Sequence, residues 1–151
     1  MPDTIRQRIV DAIQEALRGI SVANGFATDF GQRVHVWKVA PYEDAGLPCL
    51  NVFDRKRETE RQLSGRHHHK LYVDIVVVAL GATTDRDLRA MMADVIAVVG
   101  ANRKWGGLAY DTDPQSDEIA IEHEDRKRGG AKLSFIVHFR TEPYQENNGV
   151  N

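Results

Sequence analysis

Few features of this sequence mark a chemistry. It contains one cysteine, Cys49, which excludes an intramolecular disulfide. A lone cysteine fits a reducing compartment. No charge of one sign dominates: 20 Lys and Arg stand against 22 Asp and Glu, for a formal net charge of −2. That balance excludes a generic polybasic nucleic-acid binder and leaves only a local basic patch. The longest apolar run extends only from Ile75 to Leu80, whereas a membrane helix needs about twenty residues. Charges at Arg6, Arg8, Asp11, Glu15 and Arg18 interrupt the region where a signal peptide carries its apolar stretch. The expectation is a soluble protein that acts where it is made, with no membrane partner.

What is present is ordinary for a globular domain: 42% apolar and 28% charged residues. At 151 residues, folding hides roughly 68–70% of the unfolded surface, enough for a core without disulfides or metals. No repeat, linker or low-complexity block divides the chain. A single domain over 1–151 is expected, with a polar tail over about 145–151 that should fray.

Ile5, Ile9, Ile13 and Leu17 recur every four residues and predict an amphipathic helix over 4–18. Asp3 or Thr4 can cap it, and Gln7 stands where a capping box requires. Alternation predicts a strand over 32–39, and a Pro- and Gly-broken loop follows over 41–48. Strands over 49–60 and 66–80 form a long hairpin with Leu63-Ser64-Gly65 at its tip. Leu71, Val73, Ile75, Val77 and Ala79 share one face of the second strand. Its other face, with Val76, Val78 and Leu80, is also apolar and needs a cover.

A second helix is expected over 84–100, opened by Thr84 and closed into a capping box by Asp87. Its apolar stripe is Leu88, Met91, Met92, Val95, Ile96 and Val99. Strands over 117–126 and 131–141 follow, joined at Arg128-Gly129-Gly130. The order α-β-β-β-α-β-β predicts an α+β fold: a mostly antiparallel sheet of long hairpins with both helices on one face. The expected core is Ile9, Ile13, Leu17, Val36, Val52, Val73, Ile75, Val77, Leu88, Met92, Ile96, Phe135 and Val137.

Arg66-His67-His68-His69-Lys70 invites a metal reading. On a strand, however, His67 and His69 face one way and His68 the other, and both flanks are cationic. A solvated, pH-sensitive stretch is the better reading, and no metal is expected. His35, His123 and His138 are scattered over other strands. Asp111, Asp113, Asp117, Glu118, Glu122, Glu124 and Asp125 cluster in sequence without calcium-loop spacing. As catalytic groups they would make a small hydrolase only around a cleft. Cys49 has no nucleophile motif around it, and Gly106-Gly107 and Gly129-Gly130 lack the Lys-Ser/Thr of a phosphate loop. No catalytic site and no cofactor are therefore expected.

Arg55, Lys56, Arg57, Arg61, Arg66 and Lys70 lie on the first hairpin among Asp54, Glu58 and Glu60. Arg126, Lys127, Arg128 and Lys132 lie on the second. Phosphate contact would make this a nucleic-acid-binding module. Mixed signs favour protein–protein pairing instead. The candidate interface is Arg55, Lys56, Arg57, Arg61, Arg66, Lys70, Val76 and Val78, against a neighbouring subunit.

Taken together, several segments form a recognisable layout. They are the helix Ile5-Arg6-Gln7-Arg8-Ile9-Val10-Asp11-Ala12-Ile13, then Val34-His35-Val36-Trp37, Pro41-Tyr42 and Leu47-Pro48-Cys49-Leu50-Asn51-Val52. The strand His69 to Val77, the helix after Thr84 and the closing Phe135 to Tyr144 complete it. Over about 4–144 this resembles the tail terminator and minor tail proteins of long-tailed phages and prophages. The resemblance implies a subunit of a hexameric ring that caps the tail tube, stops its polymerisation and offers a surface for joining the head. Its implied partners are further copies of itself, the tail tube protein and the head–tail connector, with DNA only passing through the lumen. Its implied place is the head-proximal end of the virion tail, after assembly in the host cytoplasm. Connector and tail-completion ring proteins share this size and topology and remain the alternative.

Overall fold

The computed structural model describes residues 3–81, 83–123 and 127–150. Two helices, α1 (Ile5–Arg18) and α2 (Thr84–Ala101), accompany five strands: β1 (Val34–Val36), β2 (Cys49–Arg61), β3 (His67–Leu80), β4 (Asp111–His123) and β5 (Lys127–Thr141). The fold is α+β, and the expected order is followed roughly, with short 3-10 turns between the main elements. The strands form one sheet in the order β1-β2-β3-β5-β4. β1 pairs parallel with β2, which makes the sheet mixed, and the remaining pairs are antiparallel.

α1 forms where the four-residue apolar spacing demands it. Ile5, Ile9, Val10, Ile13 and Leu17 are buried. The Thr4 hydroxyl accepts from the Gln7 amide at 3.0 Å. The Gln7 side chain reaches forward to Asp11 at 2.9 Å, so only half of the capping box forms. At α2 the cap position is Thr83, and its hydroxyl donates to Asp87 at 3.2 Å.

Both helices lie on one face of the sheet. Leu50 and Val52 of β2, Leu71 to Val77 on the odd positions of β3, and Leu133, Phe135, Val137 and Phe139 of β5 meet Ile9, Ile13, Leu88, Met91 and Val95 there. Burying each such side chain contributes about 1.5–3 kcal/mol.

Two expected core residues and one expected turn require correction. Ile96 is 48% exposed, and Val36 is only half-buried. Ile96 lines an open pocket of about 230 Å³ with Leu133 and Phe135, beside the register break in β4 between Pro114 and Ser116. The inward side of α2 instead includes Asp94, which is buried because it accepts from the Ala27 amide at 3.0 Å and from the Thr28 hydroxyl. Gly129 and Gly130 are not a turn. They lie within β5, opposite Ala79 and Val78. A Cβ on Gly129 would come within 2.9 Å of Thr84 and 3.0 Å of Leu88 and Ile121, so this glycine lets α2 approach the sheet. The turn between β4 and β5 lies outside the described residues.

The C-terminal segment up to Val150 is tied down where fraying was expected. The Ile5 amide donates to Glu146, the Glu142 amide to Asn148, and the Val150 amide to Arg140. Thr141 pairs with Gly149. Backbone groups that would otherwise lose a partner are thus satisfied within the chain.

Candidate interaction surface

The face of the sheet away from the helices carries the even positions of β3. Cross-strand register builds rows there. One row is Glu58, Lys70, His138 and Asp111; the next is Lys56, Tyr72, Ile136 and Asp113. A third contains Asn51, Val76, Lys132 and Glu118. Along β5 strand alternation thus sends Leu133, Phe135, Val137 and Phe139 to the helices and Lys132, Ser134, His138 and Arg140 outward.

Val76, Val78 and Leu80 find their cover within the chain. They pack with Tyr42 and Leu47 of the segment between β1 and β2 and with Cys49, the first residue of β2. Asn51, fully buried, holds that segment down. Its amide donates to the Lys38 carbonyl at 2.8 Å and to the Tyr42 hydroxyl at 2.6 Å, and its oxygen accepts from the Lys38 amide at 3.1 Å. Val78 is 7% exposed, so it is a core residue and not an interface residue. Val76 is half-buried. Burial raises the pKa of the Cys49 thiol and the Tyr42 phenol.

The hairpin charges are less free than the sequence suggested. Arg55 pairs with buried Asp74 at 2.9 Å, and its guanidinium stands over the Tyr72 ring. Lys56 reaches Glu58 at 3.5 Å, and Arg57 pairs with Glu146 at 2.7 Å. Arg66 lies 3.8 Å from Glu142. Lys70 is half-buried beside Glu58. Arg61 is exposed near the hairpin end, with no ion-pair partner among the described residues. Arg55 and Arg57 therefore hold their own chain together, and reversing them would disturb folding as well as any contact between subunits.

The histidine run is not uniformly solvated. His69 is buried between the Thr59 hydroxyl at 2.9 Å and the Thr141 hydroxyl at 2.8 Å, against Phe139. Burial, then the nearby Arg57, lowers its pKa to about 4. His67 meets Tyr144 edge-on. His68 points to the open face and joins a cluster that the sequence did not announce. Its Nε2 is 2.7 Å from the Tyr110 hydroxyl and 3.3 Å from His138 Nδ1. His138 Nε2 lies 3.0 Å from Asp113, and Arg140 stands over the Tyr110 ring. Burial, then His138, lowers the pKa of His68. The signal for this cluster was the β3–β5 register, which puts His68 beside Arg140 and Lys70 beside His138. His35 is half-buried, and burial, then Lys38, lowers its pKa.

The carboxylates are strung along β4 and do not face one another across a cleft. The Thr112 amide, then Arg103 at 2.7 Å, lowers the pKa of Asp111. Asp113 meets His138, Glu118 meets Lys132 at 3.0 Å, and Asp117 is exposed. Glu124, Asp125 and Arg126, and the side chains of Glu122, His123 and Lys127, lie outside the described residues. Among the described residues no group of three or more His, Cys, Asp or Glu is placed to hold a metal ion. No described helix is long and apolar enough to cross a membrane. No family model and no curated protein matches the chain.

Proposed function

We propose that the protein is a structural subunit of a long-tailed phage tail, assembling into a ring, hexameric by resemblance, that caps the tail tube and ends its polymerisation. The observation that carries this reading is the two-sided sheet. One face is sealed by both helices, while the other presents rows of charged side chains and is flanked by open strand edges. A sheet of this kind suits contact with further copies and with a tube end. The sequence resemblance over about 4–144 supports the same reading. On it the protein is not an enzyme and carries no cofactor. Its partners are its own copies, the tail tube protein and the head–tail connector, with DNA only passing through the lumen. It resides at the head-proximal end of the virion tail.

The test is reconstitution with the tail tube protein, read by electron microscopy. Rings seated on tube ends and tubes of fixed length are the expected result. Tubes that keep growing in excess protein, with bare ends, would overturn the proposal.

A further inference from the structure

Among the described residues two long stretches of strand edge lack a strand partner, and they differ in charge. β1 covers β2 only along Leu50 to Val52, and Arg6 caps the Asp54 carbonyl at 2.7 Å. From Arg55 to Arg61 the outer edge of β2 has no strand partner among the described residues. The outer edge of β4 is likewise open from Asp111 to Ile121. The β2 stretch carries Arg55, Lys56, Arg57 and Arg61 against Glu58 and Glu60. The β4 stretch carries Asp111, Asp113, Asp117 and Glu118 and no cation. In-chain partners share part of this charge: Asp74, Glu58 and Glu146 on the β2 side, and Arg103, His138 and Lys132 on the β4 side. Arg61 and Asp117 have no such partner among the described residues. Ile119 and Ile96 are exposed beside the acidic edge.

We infer that the β4 edge of one copy pairs with the Arg55–Arg61 edge of the next, extending the sheet from subunit to subunit. Charge on an edge keeps it from sticking to its own kind. Pairing β4 with β4 would set acids against acids, and pairing β2 with β2 would bring together two edges that each carry four cations and two acids. Only the unlike edges attract, and such selection by repulsion is how edges acquire specificity. Strand direction agrees. Three antiparallel steps lead from β2 through β3 and β5 to β4, so β4 runs opposite to β2. A second copy rotated about an axis along the strands presents its β2 antiparallel to β4. The contact is head-to-tail, and a repeated head-to-tail contact closes into a ring when the rotation permits. The inference rests on the ring reading above for that closure and names the surfaces that make it.

The test uses the full chain with Asp117→Lys and Arg61→Glu as single variants. Self-association is read by analytical ultracentrifugation at about 0.05 M and 0.5 M salt, with folding checked by thermal melts. Each variant should remain folded and associate roughly tenfold or more weakly than the parent chain. Mixing the two variants should restore assembly, because every junction between unlike chains then joins unlike charges. Hydrogen exchange supplies a second readout: amides within 111–121 and 55–61 should slow together on assembly. A chain that stays monomeric at every concentration, variants that assemble like the parent, or a mixture that fails to recover would each overturn the inference. Edge-paired rings that leave tube ends bare would overturn the tail reading alone. Tubes capped normally by either variant would overturn the edge contact alone.

Discussion

Arg57 on β2 and Glu146 in the C-terminal segment meet at 2.7 Å, across 89 residues of sequence. The pair fastens the chain end beneath the first hairpin, next to the point where the Ile5 amide donates to Glu146. Arg57 is the first cause that lowers the Glu146 pKa. A depressed carboxyl pKa contributes stability that is present above the unfolded value and is lost as pH falls through the folded one.

Glu146→Gln should therefore loosen residues 142–150 at neutral pH and remove the acid-side part of this effect. Both partners are partly exposed, so the cost is small, about 0.5 kcal/mol after screening. Faster hydrogen exchange at Val150, with little change in global stability, is the expected result.

His69 gives the protein a larger pH dependence. Its folded pKa of about 4 lies well below the ordinary value of 6.5. Between these values the unfolded chain binds the proton and the folded chain does not. Stability from this group is complete above about pH 6.5 and falls away as pH drops towards 4, by an amount on the order of 2–3 kcal/mol. Urea denaturation of the parent and His69→Gln across pH 4.5 to 7 tests this. The variant should show a flatter slope, and the His69 ring resonances of the parent should not titrate above about pH 5.

Asp94 ties the segment after α1 to α2 through Ala27 and Thr28. Asp94→Ala leaves both groups without that acceptor and should cost about 2 kcal/mol. Asp94→Asn retains one acceptor and should cost less, as chemical denaturation of the two variants will show.

Asn51 holds the segment over Val76 and Val78 through three hydrogen bonds, two to the Lys38 backbone and one to the Tyr42 hydroxyl. Asn51→Leu would leave the Lys38 backbone groups unpaired and expose Cys49. Faster reaction of Cys49 with a thiol reagent in the folded variant is the expected outcome, and an unchanged rate would refute this role for Asn51.

Gly129→Ala should destabilise by about 1–3 kcal/mol, since its Cβ would push α2 off the sheet. Gly130→Ala meets only the Val77 carbonyl at 3.4 Å and is the control, with a smaller loss of melting temperature expected.

Local periodicity determined much of this protein. The four-residue spacing of Ile5, Ile9, Ile13 and Leu17 and the strict alternation of Leu71 to Ala79 mark the inward side of each element, because that side is set by 3.6- and 2-residue repeats alone. Class, element order, and the separation of apolar from charged faces follow from it. The same reasoning failed where the answer depends on a distant neighbour. Gly129-Gly130 has the composition of a turn and serves instead as clearance for α2. Ile96 belongs to the helical stripe, yet it is half-exposed at an open pocket beside the register break in β4. Val78 needed a cover, and only the folded chain brought Tyr42 and Leu47 to it. Charges at Arg55 and Arg57 read as free until Asp74 and Glu146 arrived from other elements. His68, Tyr110, His138 and Asp113 share no motif, because strand pairing rather than spacing brings them together. Side-chain orientation is a property of the local backbone, whereas a side chain's partner is set by register and packing, and those exist only once the sheet has formed.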